Sequence, residues 1–501
     1  MSDLYNNKIP FELKTKSIDE TMQGNALEIA RPKDVPSNGK KYYIESYGCA
    51  MNFADSEVVA SILGQNGYDA TKDYNEADLV FINTCSIRDK AEQRVRKRLM
   101  HFKSVKKRNK AALVGVLGCM AERLKDKFLE QEQLVDMVIG PDAYRSLPTL
   151  IAEAESGQKS INVLLSRDET YADISPVRLA SNGVNAFVSI TRGCDNICSF
   201  CVVPQTRGRE RSRHPDSIVA EVQNLYNNGY REVTLLGQNV DSYRWSEDEK
   251  IRGKKLIDLK DTDEVFNFAN LLESVALVAP DLRVRFSTSH PKDMQDDVLY
   301  TIAKHKNICN FVHLPVQSGN SELLEKMNRG YTREYYLDRI AAINRIIPNC
   351  GLSTDIITGF CGETEEQHEE TISLMKEVKF NMAYMYFYSE RPGTLAAKRY
   401  DDDVPEEVKK RRLTEVISIQ KKSSLALNKK QIGNIVEVLV EKNSKKSDDD
   451  LSGRDDQNNM VVFSRGNHKP GDYVTCEIID CSSNVLIGKV VNQSTSQLIK
   501  K

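Results

Sequence analysis

Short apolar runs alternate with amphipathic stretches in the first third of the chain. The runs "KYYIESYGC", "ADLVFINTC" and "AALVGVLGC" are each followed by a segment with helical spacing, for example "ADSEVVASILGQNGY". Strands that alternate with helices predict a parallel α/β sheet. We assign residues 39–170 to this N-terminal domain, and the polar, aperiodic residues 1–38 to a flexible leader.

A second alternating series occupies residues 180–425. Its strand-like segments are "NAFVSITRG", "EVTLLGQN", "RVRFSTSH", "FVHLPVQSG", "GLSTDIITGF" and "MAYMYFYS", with helical segments between them. Strand–helix units repeated in this way predict a parallel sheet, here curved into a partial (β/α)6 barrel. The basic stretch "KKRRLTEVISIQKKSSLALNKKQ" is typical of a helix that leads out of the domain.

The pattern changes again in residues 431–498, where short apolar runs are joined by turns rich in Gly, Asn and Asp. These runs are "NIVEVLVE", "MVVFSR", "DYVTCEIIDC" and "NVLIGKVV". They predict a small antiparallel β-barrel. The predicted fold class is therefore α/β, with an N-terminal parallel α/β domain, a central partial barrel and a C-terminal antiparallel barrel.

Composition limits which classes of protein the chain can belong to. The 501 residues are too many for one core, and the net charge of -2 gives no global attraction to nucleic acid, so any such site must be local. No apolar run reaches transmembrane length, and the first 20 residues lack the apolar region of a signal peptide. We expect a cytoplasmic protein without membrane contact. In that reducing compartment, the 11 cysteines favour metal sites over disulfides.

Three cysteines of the N-terminal domain occupy equivalent places. Cys49, Cys85 and Cys119 each follow a predicted strand and precede a predicted helix. The carboxyl ends of parallel strands share one edge of the sheet, and a helix N-terminus favours a thiolate. The three thiols can therefore converge on one ligand. Any one of them taken alone is equally well explained as a buried structural cysteine.

A second trio stands in "VSITRGCDNICSFCVVP", residues 188–204. Cys194, Cys198 and Cys201 have the spacing C-x3-C-x2-C. A structural zinc site needs four ligands, and His214 is the nearest candidate for the fourth, so zinc is the alternative. A four-iron cluster fits the trio better, because three thiolates leave one iron open to a small-molecule ligand. The loop follows the first barrel strand, at the edge where such barrels carry their chemistry.

The spacing, with Phe200 before the last cysteine, resembles the signature of radical S-adenosylmethionine (SAM) enzymes. Together with the N-terminal trio, it resembles the radical SAM methylthiotransferase family. The resemblance implies that Cys194, Cys198 and Cys201 hold a catalytic 4Fe-4S cluster that binds SAM, with Phe200 beside the cofactor. It also implies that the N-terminal trio holds a second 4Fe-4S cluster, which carries sulfur for insertion. The C-terminal barrel resembles the TRAM domain, an RNA-binding module.

Finer motifs point to one branch of this family. "YGCAMN" (47–52), "NTCSIRDKAEQ" (83–93) and "HLPVQSGNSELLEKMNRGYT" (313–332) resemble the tRNA-modifying, MiaB-type branch. This resemblance implies methylthiolation of carbon 2 of N6-isopentenyladenosine at tRNA position 37, in the anticodon loop. Two SAM molecules are implied, one as methyl donor and one as source of the 5′-deoxyadenosyl radical.

Three features depart from the pattern of the family. Ala50 stands where Gln is expected, Cys361 replaces a more usual Pro, and residues 245–263 form a charged insertion. None of the three removes a cysteine ligand.

Polar residues near later strand ends are candidates for cofactor contact. Gly237 and Gln238 follow the second barrel strand, and a glycine there permits close backbone approach. Ser289, Gln317 and Asp355 are placed at the ends of later strands. By resemblance these residues line the SAM or substrate pocket. Capping of a loop or turn is the alternative for each polar side chain.

RNA contact must come from local charge. The densest basic runs are residues 94–110 and 206–213. The first is typical of a solvated helix face, whereas the second follows the cluster loop and is the better candidate for phosphate contact. Further cations accompany the terminal barrel, which would hold the RNA backbone: Lys429, Lys430, Arg454 and Arg465. We expect a monomer whose electron donor is a protein such as flavodoxin or ferredoxin.

Two other functions stay open at this point. One is methylthiolation of an aspartate in a ribosomal protein, by a different branch of the same family. The other is a non-catalytic iron–sulfur regulator that binds RNA. Cleavage of SAM to 5′-deoxyadenosine by the reduced protein separates the regulator from the enzymes.

Overall fold

The computed structural model of the chain describes residues 31–86, 89–174, 176, 182–248, 251, 264–445 and 447–491. Most of the predicted leader and most of the charged insertion at 245–263 lie outside the described residues. Among the helices that the structure describes, none is both long enough and apolar enough to cross a membrane.

The N-terminal domain is a six-stranded parallel sheet flanked by helices. Its strands are β1 (Lys41–Ser46), β2 (Asp69–Ala70), β3 (Leu79–Thr84), β4 (Leu113–Gly118), β5 (Met137–Ile139) and β6 (Ser160–Asn162), in the order β2-β1-β3-β4-β5-β6. Its helices are α1 (Ala50–Gln65), α2 (Asp89–His101), α3 (Lys103–Arg108), α4 (Cys119–Leu124), α5 (Asp126–Gln131) and α6 (Leu147–Glu155). Every residue of β3 and β4 is buried, as expected for parallel strands covered on both faces.

The central domain contains six parallel strands in two three-stranded sheets. The strands of this domain are β7 (Asn185–Ser189), β8 (Thr191–Arg192), β9 (Arg211–Ser212), β10 (Glu232–Leu236), β11 (Arg244–Trp245), β12 (Phe266–Asn267), β13 (Arg283–Phe286), β14 (Phe311–His313), β15 (Gly351–Thr358) and β16 (Met382–Phe387). One sheet has the order β13-β10-β7 and the other β14-β15-β16. A parallel bridge from Val284 to Ile308 joins them into one arc, which is the predicted partial barrel.

Nine helices described in the structure belong to this domain and its exit. They are α7 (Val203–Arg207), α8 (Pro215–Asn227), α9 (Phe268–Ala276), α10 (Asp296–Lys304), α11 (Ser321–Lys326), α12 (Arg333–Ile346), α13 (Glu365–Val378), α14 (Leu395–Arg399) and α15 (Glu406–Lys430). We call the end where the parallel strands begin the amino edge and the end where they finish the carboxyl edge. The predicted basic exit helix is α15.

The C-terminal domain is a closed five-stranded barrel. Its strands are β17 (Ile435–Asn443), β18 (Asp450–Arg454), β19 (Met460–Ser464), β20 (Tyr473–Cys481) and β21 (Leu486–Val490), in the order β17-β18-β19-β21-β20. Four strand pairs are antiparallel, as predicted, whereas β19 and β21 run parallel to each other. Strand β18, with the sequence "DLSGR", is too polar for the hydrophobic pattern to predict it.

The C-terminal barrel docks on the amino edge of the central domain. The side chain of Arg285 donates to the carbonyl of Asp455 at 2.6 Å, and Tyr473 donates to the carbonyl of Asp281 at 2.9 Å. Helix α15 leads to the barrel. Near its first residues, the ammonium of Lys409 lies over the ring of Tyr388. The 25 residues of α15 span about 37 Å, so the barrel lies a full strand length from the carboxyl edge.

Candidate active site

The N-terminal trio lies at the carboxyl ends of three neighbouring strands. Cys49 is the N-cap residue of α1, Cys85 follows β3 directly, and Cys119 is the first residue of α4 after β4. Thr84 and Gly118 are paired across β3 and β4, so Cys85 and Cys119 continue from adjacent positions. The topology therefore brings all three cysteines to one edge of the sheet.

Gly48 shows how closely the first two cysteine loops approach. A Cβ added at Gly48 would lie 2.6 Å from the Cβ of Cys85 and 3.2 Å from its sulfur. Gly48 also has a φ of 117°, a conformation that side chains rarely adopt. A glycine before Cys49 is thus required for the two cysteine loops to pack together.

The second trio occupies the loop that leads from β8 to α7. The backbone N–H of Cys194 donates to the carbonyl of Gly208 at 3.2 Å, and that of Cys201 donates to the carbonyl of Cys198 at 3.0 Å. Burial, followed by the charge of Cys201, raises the pKa of Cys194. Burial and then Cys198 raise the pKa of Cys201. The three thiols therefore lie close enough to influence one another.

Residues that follow β14 hold this loop in place. Arg329 donates from Nη1 to the sulfur of Cys198 at 3.1 Å, and the backbone N–H of Ser199 donates to the carbonyl of Met327 at 2.9 Å. Phe200 is half-buried against an apolar cluster that includes Cys361. The sequence motif at 313–332 thus supports the cysteine loop directly.

Neither trio has the geometry of a site for one metal ion. Within the described residues, no three Cys, His, Asp or Glu side chains converge as ligands of a single ion, and none of the 11 cysteines, all of them described, forms a disulfide. A tetrahedral zinc site needs such convergence. In an iron–sulfur cluster each thiolate binds a different iron, so three cysteines without a fourth protein ligand can hold that group.

The two trios face each other across the boundary between the domains. Helix α4, which begins at Cys119, packs against α7, which follows Cys201. Cys119 is one of the charges that raise the pKa of Cys201. On the other side, Cys49 packs against Met51 and Leu236, the last residue of β10. The carboxyl edges of both domains thus enclose one region.

Buried ion pairs fix this arrangement. Asp55 of α1 accepts from Arg192 at 2.7 Å and from Arg207 at 2.8 Å, and Asp142 accepts from Arg211 at 2.8 Å. Burial opposes the charge of Asp55, but Arg192 and Arg207 together lower its pKa below the usual value. Removing one partner of such a network leaves an uncompensated buried charge.

These pairs correct the prediction for the basic run at 206–213. Arg207, Arg211 and Arg213 are buried and paired with carboxylates, so they are not available to phosphates. Arg209 differs, because its side chain is 66% exposed, although it pairs with Asp195. The run therefore joins the two domains, and Arg209 is its one exposed arginine.

The residues predicted for the cofactor pocket are spread along the carboxyl edge. Gly237 follows β10, and a Cβ there would lie 2.1 Å from Oγ1 of Thr191. Ser289 is buried and donates to Asp241 at 3.2 Å. Gln317 is buried with a φ of 76°, a rare conformation for a residue other than glycine and one that clusters at functional sites.

Asp355 is placed differently from the prediction. It lies inside β15, the fifth of eight residues, and not at the end of that strand. Its carboxylate is 3.6 Å from Nε2 of His313, the last residue of β14. Because β15 is long and Gln317 pairs with its Ile356, Asp355 still lies beside the loop that follows β14.

Several buried polar atoms at this edge have no hydrogen-bond partner within the described part of the chain. They are Oε1 of Gln238, Oδ1 of Asn239, Nε2 of His290 and Oγ1 of Thr191. Such atoms are costly unless a ligand or water satisfies them. Sequence reasoning missed Asn239 and His290, although both follow barrel strands within the quoted segments "EVTLLGQN" and "RVRFSTSH". The donor and acceptor set fits a small polar molecule such as SAM.

Two of the departures from the family pattern lie in apolar packing. Ala50 contacts the cluster of Met51, Ala54 and Leu236 at the domain boundary. Cys361 is buried beside Phe360, and its carbonyl accepts from Lys326 at 2.8 Å. Both positions are thus filled by residues that suit their surroundings.

Three known families match successive parts of the chain. The uncharacterized protein family UPF0004 matches residues 41–140, the Radical SAM superfamily matches 188–375, and the TRAM domain matches 429–491. A protein of Christiangramia forsetii named tRNA-2-methylthio-N(6)-dimethylallyladenosine synthase is 57% identical over 484 residues, covering 96% of this chain and 99% of that relative. The chain belongs to the tRNA-2-methylthio-N(6)-dimethylallyladenosine synthase family.

A second synthase of this family gives the same result. The protein of that name from Amoebophilus asiaticus is 58% identical over 456 residues, covering 91% of this chain and 93% of that relative. Among solved structures, the radical SAM methyltransferase TsrM from Kitasatospora setae matches with a TM-score of 0.51 and 15% identity, over 72% of this chain and 75% of TsrM. At this low identity, the likeness to TsrM supports only the fold of this synthase family member.

Proposed function

We propose that this chain transfers a methylthio group to carbon 2 of N6-isopentenyladenosine at position 37 of tRNA. The observation that carries the proposal is the pair of cysteine trios that face one region between two domains. Relatives that are 57% and 58% identical over nearly their whole length carry the name of this activity. They favour tRNA over a ribosomal protein as the substrate, and an enzyme over an RNA-binding regulator.

The match to the Radical SAM superfamily implies a 4Fe-4S cluster and SAM. We assign that cluster to Cys194, Cys198 and Cys201. We also propose a second 4Fe-4S cluster on Cys49, Cys85 and Cys119. The surroundings of this trio fit an anionic group, because the buried guanidinium of Arg207 lies beside it with one nitrogen atom lacking a partner.

The reaction explains why such cofactors are needed. The hydrogen at carbon 2 of adenine is not acidic, and that carbon is not readily attacked by a nucleophile, so acid–base chemistry would not suffice. When bound, the clusters and two SAM molecules supply a methylated sulfur and a carbon radical. The chain holds the two trios on elements that pack together, and its buried network of Asp55, Arg192 and Arg207 ties α1 to the central domain.

We propose that the carboxyl edge of the central domain binds SAM and the target base. Gly237, Gln238, Ser289, Gln317 and Asp355 are the proposed contacts, with Phe200 supporting the cluster loop. The unpartnered acceptor of Gln238 and the strained backbone of Gln317 support this assignment.

The remaining assignments concern partners and organisation. We propose a cytoplasmic monomer that receives electrons from flavodoxin, ferredoxin or a similar protein. We propose the domain boundaries 39–170, 180–425 and 431–498, preceded by a leader at 1–38.

The match to the TRAM domain supports an RNA-binding role for the terminal barrel. Lys429 and Lys430 are exposed where α15 enters that barrel.

An assay with purified protein tests the proposal. The protein, with both clusters reconstituted, receives SAM, a reductant and sulfide, together with one of three substrates. These are isopentenylated tRNA, the same tRNA without the isopentenyl group, and the ribosomal protein. We expect a methylthio product from the first alone, because the apolar group helps to position the base. Product on the ribosomal protein without product on isopentenylated tRNA would overturn the assignment.

A further inference from the structure

Arg207 reaches from the central domain into the N-terminal domain. It ends α7, the helix that follows Cys201, and its side chain is 3% exposed. Its Nη2 donates to Oδ1 of Asn52 at 2.9 Å and to Oδ2 of Asp55 at 2.8 Å. Both acceptors belong to α1, the helix that Cys49 caps. Arg207 thus connects α7, which follows the second trio, with α1, which follows Cys49 of the N-terminal trio.

The guanidinium also lies near two cysteines of the N-terminal trio, Cys49 and Cys119. The sulfur of Cys49 is 3.8 Å from Oδ1 of Asn52, the same atom that Arg207 contacts. Helix α4, which starts at Cys119, packs against α7. Burial disfavours the charge of Arg207, but Asp55, Cys119 and Cys49 raise its pKa well above the usual value.

The second amino group of Arg207 has no hydrogen-bond partner among the described residues. Nη1 is buried, and no described atom accepts from it. A buried N–H of a charged group is rarely left unsatisfied in a native protein. Arg192 pairs with the same Asp55, and its Nε also has no hydrogen-bond partner among the described residues. Its other contacts, however, are to Pro141, Asp142 and the Tyr171 ring.

We propose that Arg207 donates a hydrogen bond from Nη1 to a sulfur atom of the cluster held by Cys49, Cys85 and Cys119. This inference rests on the second cluster of the proposed function. Arg207 then contacts this cluster from the central domain, so the site of the second cluster is complete only when the N-terminal and central domains are docked. Hydrogen bonds and positive charge near the sulfur atoms favour the reduced, more negative cluster.

The test isolates the second cluster by removing the ligands of the first. In full-length protein carrying Cys194→Ala, Cys198→Ala and Cys201→Ala, the iron content is measured after anaerobic reconstitution, and the reduction potential is then followed by EPR. We expect Arg207→Met to make the potential more negative and Arg207→Lys to preserve part of the wild-type value, because lysine keeps the charge. Arg192→Met also removes a partner of Asp55 but no donor to the cluster, so it should shift the potential much less than Arg207→Met.

A second measurement does not depend on the stability of the Met variant. With 15N-labelled arginine, pulsed EPR of the same reduced cluster should show a weakly coupled 15N nucleus, which is lost in Arg207→Lys. The proposal is overturned if four irons bind but the coupling is absent, or if Arg192→Met shifts the potential as much as Arg207→Met. If the parent protein binds no iron, the assignment of a second cluster is wrong. The proposed function then fails, independently of the role of Arg207.

Discussion

Individual residues at the two trios are constrained by what surrounds the sulfur atoms. The thiols of Cys85 and Cys198 are buried, and Cys198 already accepts a hydrogen bond from Arg329. Metal binding would deprotonate these thiols, because the thiolate is the form that binds a metal. Each trio is assigned a cluster of its own, so the two trios can be tested separately.

Replacing either trio should remove half of the iron. Changing Cys194, Cys198 and Cys201 to Ala should lower the content from about eight to about four irons per chain, because each trio is assigned one four-iron cluster. It should also abolish cleavage of SAM to 5′-deoxyadenosine. Changing Cys49, Cys85 and Cys119 should remove the other four irons but leave some cleavage. Zinc in either trio after anaerobic reconstitution would contradict this account.

A single methyl group should disrupt the SAM-cluster loop. In Gly193→Ala, the new Cβ would lie 2.1 Å from the carbonyl oxygen of Arg209, at a φ of 78°. The loop that presents Cys194 must move, so we expect the catalytic cluster to be lost, and with it about half of the total iron. Iron analysis and the EPR signal of the cluster measure this loss.

Gly229→Ala is the matched control for that substitution. Gly229 has a φ of 93°, but a Cβ there meets no described atom within 4 Å. Both variants carry the strain of a left-handed alanine, about 1–2 kcal/mol. Equal iron loss in the two variants would show that backbone strain, and not the close approach to Arg209, is responsible.

At the scale of elements, the contact between α1 and the central domain depends on one carboxylate. Asp55 is fully buried and pairs with two arginines. We expect Asp55→Asn to lower the free energy of unfolding by about 3–5 kcal/mol, measured by urea denaturation at pH 7. Asp69→Asn, which removes an exposed partner of Arg31, should change stability little. Comparable losses in both would contradict the role of Asp55.

The same pair predicts how stability depends on pH. Arg192 and Arg207 lower the folded-state pKa of Asp55 below the unfolded value of about 3.9. Its contribution is therefore complete above that value and is lost as the pH falls through the folded-state pKa. In metal-free protein, the difference in Tm between wild type and Asp55→Asn should shrink below about pH 4. A difference that stays constant from pH 7 to pH 3 would contradict the assignment.

The sequence predicted elements well where hydrophobic periodicity is strong. The strands that precede Cys49, Cys85 and Cys119 and the first strand of the central barrel lie where the apolar runs placed them. Periodicity could not reveal which carboxylates meet the run at 206–213, since Asp55 and Asp142 are distant in sequence. It also missed β18, because the polar "DLSGR" forms a strand only through its neighbours in the closed barrel.

For the whole molecule, the terminal barrel and the two trios lie on opposite edges of the central domain. Arg285 and Tyr473 hold the barrel at the amino edge, whereas both trios lie at the carboxyl edge. An RNA that contacts both must extend along the side of the partial barrel, over a distance comparable to the length of α15. A folded tRNA is long enough to do so.

This arrangement predicts a role for exposed cations at the barrel entrance. Lys429→Glu with Lys430→Glu should weaken tRNA binding at low salt, since each lost phosphate contact lowers the slope of log affinity against log salt by about 0.7–0.9. SAM cleavage should not change. Filter binding at several salt concentrations measures the effect. Lys97→Glu with Lys107→Glu, on the exposed face of α2 and α3, is the control, and an equal loss there would contradict a specific role for the barrel.

The most direct test of the central claim is mass spectrometry of tRNA nucleosides from a strain that lacks this gene. We predict that 2-methylthio-N6-isopentenyladenosine disappears and N6-isopentenyladenosine accumulates. The wild-type gene should restore the methylthio nucleoside, whereas variants with Cys49→Ala or Cys194→Ala should not, because each loses one of the two proposed clusters. Persistence of the methylthio nucleoside in the deletion strain, or its full restoration by the Cys49→Ala variant, would contradict the account.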